Sequence, residues 1–270
     1  MSSAEASSRV ESWLALMLGC PAHLKRTNTW PPPPSSAIAG HRYSAAVRVL
    51  RGDEDIPLEP GEVKRRLAKA GRVVVDVGTG DARWAYRLAR ANPSWLVVGI
   101  DPARDRLVEV ARRTGRKPAR GGIDNLWLVC TDIERAPSEL AGQADEVHVL
   151  LPWGSLLRGV VRGEREVLAA LGCLAKPGAC VEITIGTGIW DEPVPAEIRD
   201  LPPVDTAHVR SELAPLYESA GLSIERAEPL TEAEWKALPS SWARRLAHGK
   251  VDPGFVHISA RACRPRHRSV

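Results

Sequence analysis

Two carboxylates and two glycines carry the first chemical signal in this chain. Asp76-Val-Gly78-Thr-Gly80-Asp81 follows the β-branched run Val73-Val74-Val75, and Asp101 closes a second apolar run, Leu96-Val-Val-Gly-Ile100. Glycines placed directly after an apolar run let the backbone turn sharply and approach a ligand with no Cβ in the way. Asp76 can then reach a ligand ammonium or hydroxyl. Asp101, at the end of the second run, is placed to accept from a ribose diol. It also reads as a helix N-cap with Pro102 at the first helical position, and the two roles are compatible.

The glycine pattern narrows the ligand. The pyrophosphate cradle is G-x-G-x-x-G, and here Arg83 holds the third glycine position. That departure disfavours a nicotinamide dehydrogenase. An acid ahead of the glycines suits a ligand carrying an amino acid, and S-adenosyl-L-methionine is such a ligand. Taken alone, the loop also reads as an ordinary glycine-rich turn between strand and helix.

Three features bear on the acceptor. The stretch 104–120 holds Arg104, Arg106, Arg112, Arg113, Arg116, Lys117 and Arg120 against Asp105 and Glu109. Helical spacing predicts Arg112, Arg113 and Arg116 on one face, which is a footprint for phosphates or else a solvated face. Trp153, in Leu150-Leu-Pro-Trp-Gly-Ser155, offers a flat platform for an extruded base, or is a core or lid tryptophan. Trp242, in Ser240-Ser-Trp-Ala-Arg-Arg245, is a second tryptophan beside a basic pair. Meeting across a pocket mouth, the two indoles would sandwich a base.

Positioning these residues requires an alternating α/β chain. The pattern predicts a hairpin around Arg51-Gly52-Asp53 and a helix over 60–70. Strands follow at 73–75, 96–100, 126–130, 146–151 and 179–185. The last two strands are 222–227 and 254–262. Helices are predicted from Asp81, with Trp84, Leu88 and Ala89 on one face, and over 107–116, 165–174 and 209–220. Lys176-Pro177-Gly178 reads as a helix stop, Gly221 as a C′ residue, 186–206 as a long loop and 232–249 as a helical segment. The fold implied is α/β: a Rossmann-like, mostly parallel seven-stranded sheet with an antiparallel edge strand. In residues 1–45, Pro31 to Pro34 followed by two serines reads as a solvated, disordered extension ahead of a domain spanning 46–270.

Composition excludes little. A net charge of +4 and a pI of about 8.9 permit nucleic-acid binding without requiring it. Cys20, Cys130, Cys173, Cys180 and Cys263 show no metal-binding spacing and read as free thiols in a reducing, cytoplasmic compartment. No apolar run approaches membrane-spanning length.

Several pieces together carry a resemblance: Asp76-Val-Gly-Thr-Gly-Asp81, Gly99-Ile-Asp-Pro102, Lys117-Pro-Ala-Arg-Gly-Gly122, Leu151-Pro-Trp-Gly-Ser155 and Ser241-Trp-Ala-Arg-Arg-Leu246. From about residue 46 to about 262 the chain resembles the aminoglycoside-resistance 16S ribosomal RNA methyltransferases of the Kam/Npm type, which methylate N1 of adenine 1408. The resemblance implies the class I S-adenosylmethionine-dependent methyltransferase fold. It also implies a monomer acting on 16S rRNA in the assembled 30S subunit. By matching positions, Asp76, Gly78, Gly80, Asp101, Pro102, Ile133, Glu134, Leu150, Ser155 and Ser240 would line the cofactor pocket. Trp153 and Trp242 would clasp the flipped adenine. Arg112, Arg113, Arg116, Lys117, Arg120 and Arg245 would hold RNA. Ala82 departs from the family's usual glycine, at little cost if its φ is negative. The 186–206 loop has no match. A methyltransferase of another RNA or a small molecule, and a weakly active RNA-binding homologue, are the alternatives.

Overall fold

The computed structural model describes residues 46–187, 196–240, 243 and 254–263. The extension 1–45, Trp242 and Arg245 lie outside the described residues, as does 188–195 of the predicted loop.

Seven strands form one sheet: β3 (Arg72–Val77), β4 (Trp95–Ile100), β5 (Leu126–Val129), β6 (Ala144–Leu150), β7 (Ala175–Gly186), β8 (Leu222–Pro229) and β9 (Phe255–Ala262). Their order is β5-β4-β3-β6-β7-β9-β8. All pairs are parallel except those of β9, which runs antiparallel to both β7 and β8. The antiparallel pairing is thus at one edge of the sheet, with β9 one place in and β8 outermost. A separate antiparallel hairpin, β1 (Arg48–Arg51) with β2 (Glu54–Pro57), precedes the sheet.

The central strands read as near-continuous apolar runs because both their faces are covered. On one face, Val73, Val75, Val77, Val147, Val149, Val181 and Ile183 pack with α1 (Pro60–Lys69), α4 (Gly154–Arg162) and α5 (Arg165–Leu174). On the other, Val74, Val97 and Leu128 pack against α2 (Arg83–Ala91) and α3 (Arg104–Thr114). Helix α2 buries Trp84, Ala85, Leu88 and Ala89, the face its sequence predicts. Asn125 ties the layers at their base: its amide donates to the carbonyls of Ala89, Asn92 and Trp95 at 2.9–3.1 Å.

Several boundaries differ from expectation, each for a local reason. Pro177-Gly178 does not break the chain but sits where the β6–β7 ladder skips residues 176–179, a bulge at the start of β7. The 209–220 helix begins earlier, at Thr206, where the Asp205 side chain caps it, and contains a π turn at Val209–Leu213. Pro215 lies two residues beyond it, and a wider turn avoids the clash its ring would make with the preceding carbonyls. Helix α4 had no counterpart in the sequence reading. The segment after β8 is helical over Glu232–Ala237, closed at its start by a Thr231–Glu234 capping box.

Candidate cofactor and target-base site

In a doubly wound sheet the crevice opens at the carboxyl ends of the strands, where the strand order reverses. Here that reversal is at β3, flanked by β4 and β6. The Asp76 loop, Asp101, the 132–135 turn and the 151–155 segment all leave the sheet at this edge.

The glycine turn is stapled to β4. The N–H groups of Gly78 and Thr79 both donate to the Ile100 carbonyl, at 2.8 and 3.1 Å. Gly80 N–H donates to Asp101 Oδ2 and Ala103 N–H to Asp101 Oδ1, each at 2.8 Å. Each carboxylate oxygen retains a second lone pair, so Asp101 can still accept from a diol. Helix α3 starts at Arg104 with Ala103 as its N-cap residue, so Asp101 and Pro102 precede the cap rather than form it. Gly78 and Gly80 have φ of +71° and +59°. A Cβ at Gly78 would come within 2.7 Å of Leu156 Cδ2, whereas one at Gly80 would meet nothing within 4 Å. The turn therefore faces open space at Gly80. Ala82 also has positive φ, +53°, and is fully buried. The condition for a cheap alanine there is not met, and left-handed backbone costs about 1–2 kcal/mol for such a residue.

Asp76 lies beneath this loop, 2 % exposed, with the Thr79 hydroxyl donating to its Oδ2. Burial pushes its pKa up to about 7; the Thr79 hydrogen bond and His148 pull it down, and Asp101 and Asp81 push it up. A buried carboxylate of this kind gains from a cationic ligand, and the cofactor's ammonium meets that need. With an open glycine turn and a diol acceptor alongside, the residues present fit S-adenosyl-L-methionine.

The rim is built by the other strand ends. Ile133 is buried and Glu134 half-buried in the turn Ile133–Arg135, and Pro102 is exposed beside Asp101. Leu150, half-buried, ends β6. Leu151 has φ of +51°, its N–H held by the Thr184 carbonyl at 2.9 Å, and Gly154 has φ of +59°. These two left-handed residues bracket Pro152-Trp153 and leave Trp153 42 % exposed, so it is not a core residue. Ser155 is exposed in the first turn of α4. Ser240 is half-buried and accepts from Ala243 N–H at 3.5 Å, in a segment that Arg87 of α2 ties down through the Pro239 carbonyl. Trp242, the expected partner of Trp153, lies outside the described residues.

The single basic helix face does not form. Helix α3 ends at Thr114, so Arg116 lies beyond it. Arg112 and Arg113 are adjacent and point about 100° apart. Arg112 pairs with Asp53 of the hairpin at 2.8 Å. Arg113 lies 4.6 Å from the Tyr86 ring centroid, and the Tyr86 hydroxyl donates to the Gly121 carbonyl at 2.6 Å. Arg116, Lys117 and Arg120 are exposed on the turn that follows. The charges thus form a surface wrapped around the end of α3 rather than a stripe along it.

Sequence reasoning missed a polar row behind Asp76: Glu146 and His148 on β6, Glu182 and Thr184 on β7, and Ser259 on β9, all buried, with half-buried His257 on β9. Its trace in sequence is a period of two, polar residues alternating with valines and isoleucines.

Comparison with known proteins gives consistent matches. A family model described as NpmA, 16S rRNA (adenine(1408)-N(1))-methyltransferase, matches residues 48–261. A protein of that name from Streptoalloteichus tenebrarius is 39 % identical over 174 residues, 64 % of this chain and 80 % of its own. Another, from Escherichia coli, is 33 % identical over 206 residues, 75 % of this chain and 93 % of its own. A tryptophan-to-alanine variant of the enzyme from Catenulisporales acidiphilia, crystallised with its cosubstrate SAM, superposes with a TM-score of 0.77 at 48 % identity, covering 83 % of this chain and all of that one.

Proposed function

The chain belongs to the 16S rRNA (adenine(1408)-N(1))-methyltransferase family, and from that premise we propose that it methylates N1 of adenine 1408 in 16S rRNA, using S-adenosyl-L-methionine. The observation that carries the reading within this chain is Trp153. It is held out at the carboxyl end of β6 between two left-handed residues, on the same sheet edge as the glycine turn and Asp101.

The cofactor, when bound, supplies an electrophilic methyl group on a sulfonium sulfur. Asp76 takes its ammonium, Asp101 its ribose hydroxyls, and Ile133 and Glu134 flank its adenine. Gly78, Gly80, Pro102, Leu150, Ser155 and Ser240 complete the pocket. Adenine N1 carries a lone pair and no proton, so no side chain has to act as a general base. The protein's task is position: an extruded base held in line with the methyl group. Trp153, with Trp242 from the segment after the short Glu232–Ala237 helix, clasps that base. As the base becomes cationic, each indole face contributes about 0.5–2 kcal/mol of cation–π stabilisation.

Arg113, Arg116, Lys117 and Arg120 hold RNA phosphates, joined by Arg112 and Arg245. The substrate is the assembled 30S subunit, and the enzyme acts as a cytoplasmic monomer. Among the described residues no helix is long and apolar enough to cross a membrane. A methylated, cationic adenine in the decoding site confers aminoglycoside resistance. The Trp153→Ala variant tests the assignment. Methyl transfer to 30S subunits should fall by about tenfold or more, with cofactor affinity within about twofold of the parent. An equal loss of cofactor binding would make Trp153 a structural residue.

A further inference from the structure

The basic turn after α3 is built on close backbone contacts. The N–H groups of Arg120 and Gly122 both donate to the Lys117 carbonyl, at 2.8 and 3.2 Å, and Gly121 N–H donates to the Pro118 carbonyl at 3.0 Å. Ile123 N–H closes the neck on the Thr114 carbonyl at 3.2 Å. A Cβ at Gly122 would fall 1.6 Å from the Arg116 carbonyl oxygen, so this closure depends on glycine there. Arg113, Arg116, Lys117 and Arg120 form no ion pair among the described residues. Cations this close in sequence repel one another, so their charges work against a fixed turn.

The turn is tied to the body of the protein by Tyr86. Among the described residues, the side-chain hydrogen bond that reaches 115–122 from another element is the one its hydroxyl donates to the Gly121 carbonyl, at 2.6 Å. Tyr86 stands in α2, 4 % exposed, so packing on the helix fixes its ring. The same ring carries the Arg113 guanidinium, 4.6 Å from its centroid. Arg113 also lies against the turn, with its Nε 3.3 Å from the place a Gly121 Cβ would take. One buried side chain thus fixes both the turn and the cation beside it. Phenylalanine would fill the core position equally well; the hydroxyl serves the Gly121 carbonyl.

We propose that Tyr86 is a positioning residue for RNA capture: its hydroxyl and ring set the 115–122 turn and Arg113 in one arrangement before RNA arrives. This rests on the reading that the turn faces RNA. A loop ordered in advance loses less conformational freedom on binding. Tyr86 itself carries no charge and touches neither cofactor nor target base.

The test compares the full chain with Tyr86→Phe, which keeps the ring and removes the one hydrogen bond. Binding to 30S subunits should weaken about fivefold, the worth of a single hydrogen bond, and KM for 30S should rise by about as much. Both kcat and affinity for S-adenosyl-L-methionine should stay within about twofold of the parent. The salt dependence of 30S binding should keep its slope, since no cation is lost. Trypsin should cut the unbound variant faster after Arg116 and Arg120, which reads the order of the turn directly. Gly121→Ala, whose Cβ would meet Tyr86 Oη at 2.8 Å at a φ of +90°, should give the same pattern from the other side of the contact, and it decides the matter if Tyr86→Phe melts early. Unchanged 30S binding, weaker binding without faster cleavage, or a parallel loss of cofactor affinity overturns the proposal. Lys117→Ala separates this from the reading beneath it: if that variant binds 30S subunits as the parent does, the turn does not face RNA and both fall.

Discussion

Backbone strain at single residues marks this site. Ala82 and Leu151 are the non-glycine residues with positive φ among those described, and they sit at the end of the glycine turn and at the exit of β6. Strain concentrated at this edge is held there by the packing around it. Ala82→Gly should therefore raise stability by roughly 0.5–1 kcal/mol in urea denaturation, because glycine adopts that φ freely. A loss of stability would mean the alanine methyl's packing outweighs the strain. Gly78→Ala should do the opposite, since its Cβ would strike Leu156 at 2.7 Å in a left-handed turn. We expect a stability loss of about 1–3 kcal/mol and cofactor affinity at least about tenfold weaker. Asp76 adds a pH dependence. Its folded pKa lies above its unfolded one, so the favourable contribution is full below about pH 4 and is lost as pH rises through about 7. Without cofactor, Asp76→Asn should be the more stable protein at about pH 8, by thermal melting, while binding cofactor more weakly. The placement of Asp76, Gly78, Gly80 and Asp101 at strand ends around one turn was legible in sequence because an acid and glycines directly follow the apolar runs. His148 and Glu182 were not, because a polar residue at every second strand position looks the same on a solvated face as in a buried row. The pairing register distinguishes the two.

At the scale of elements, the β1–β2 hairpin is docked onto α3. Gly52 N–H donates to the Ala111 carbonyl at 3.1 Å, Arg112 pairs with Asp53, and Arg104 donates to the Asp53 carbonyl. Both partners of the Arg112–Asp53 pair are mostly exposed, so it contributes at most about 1 kcal/mol to stability. On the proposed function it occupies a cation of the RNA-binding surface. Asp53→Asn should leave melting nearly unchanged and steepen the salt dependence of 30S binding by about one phosphate contact, measured by filter binding across salt concentrations. An unchanged slope would place Arg112 outside the RNA footprint. The basic residues were legible as a cluster but not as a surface, because the helix stop at Thr114 and the contact with Tyr86 depend on tertiary packing. Helix α4 was hidden for another reason: the Pro152-Trp153-Gly154 signal drew the reading toward a loop, although Leu157, Val160 and Val161 just beyond it form a buried face.

For the whole molecule, the parallel pairing follows from the sequence's α/β alternation, and the reversal at β3 puts the strand ends of the candidate site on one edge. The position of β9 between β7 and β8 was not readable, since consecutive strands give no sign of which inserts. A net charge of +4 is small, so on the proposed function RNA recognition falls to the local surface around Arg113, Arg116, Lys117 and Arg120 together with the two tryptophans. On the proposed function this edge methylates one base of the decoding site. Reverse transcription on 30S subunits treated with the protein and S-adenosyl-L-methionine tests it most directly, because N1 methylation blocks Watson–Crick pairing. A new stop one base short of adenine 1408 is expected, present only with cofactor and much reduced with Trp153→Ala. A lane without that stop, from protein that still binds cofactor, would contradict it and point to a different acceptor.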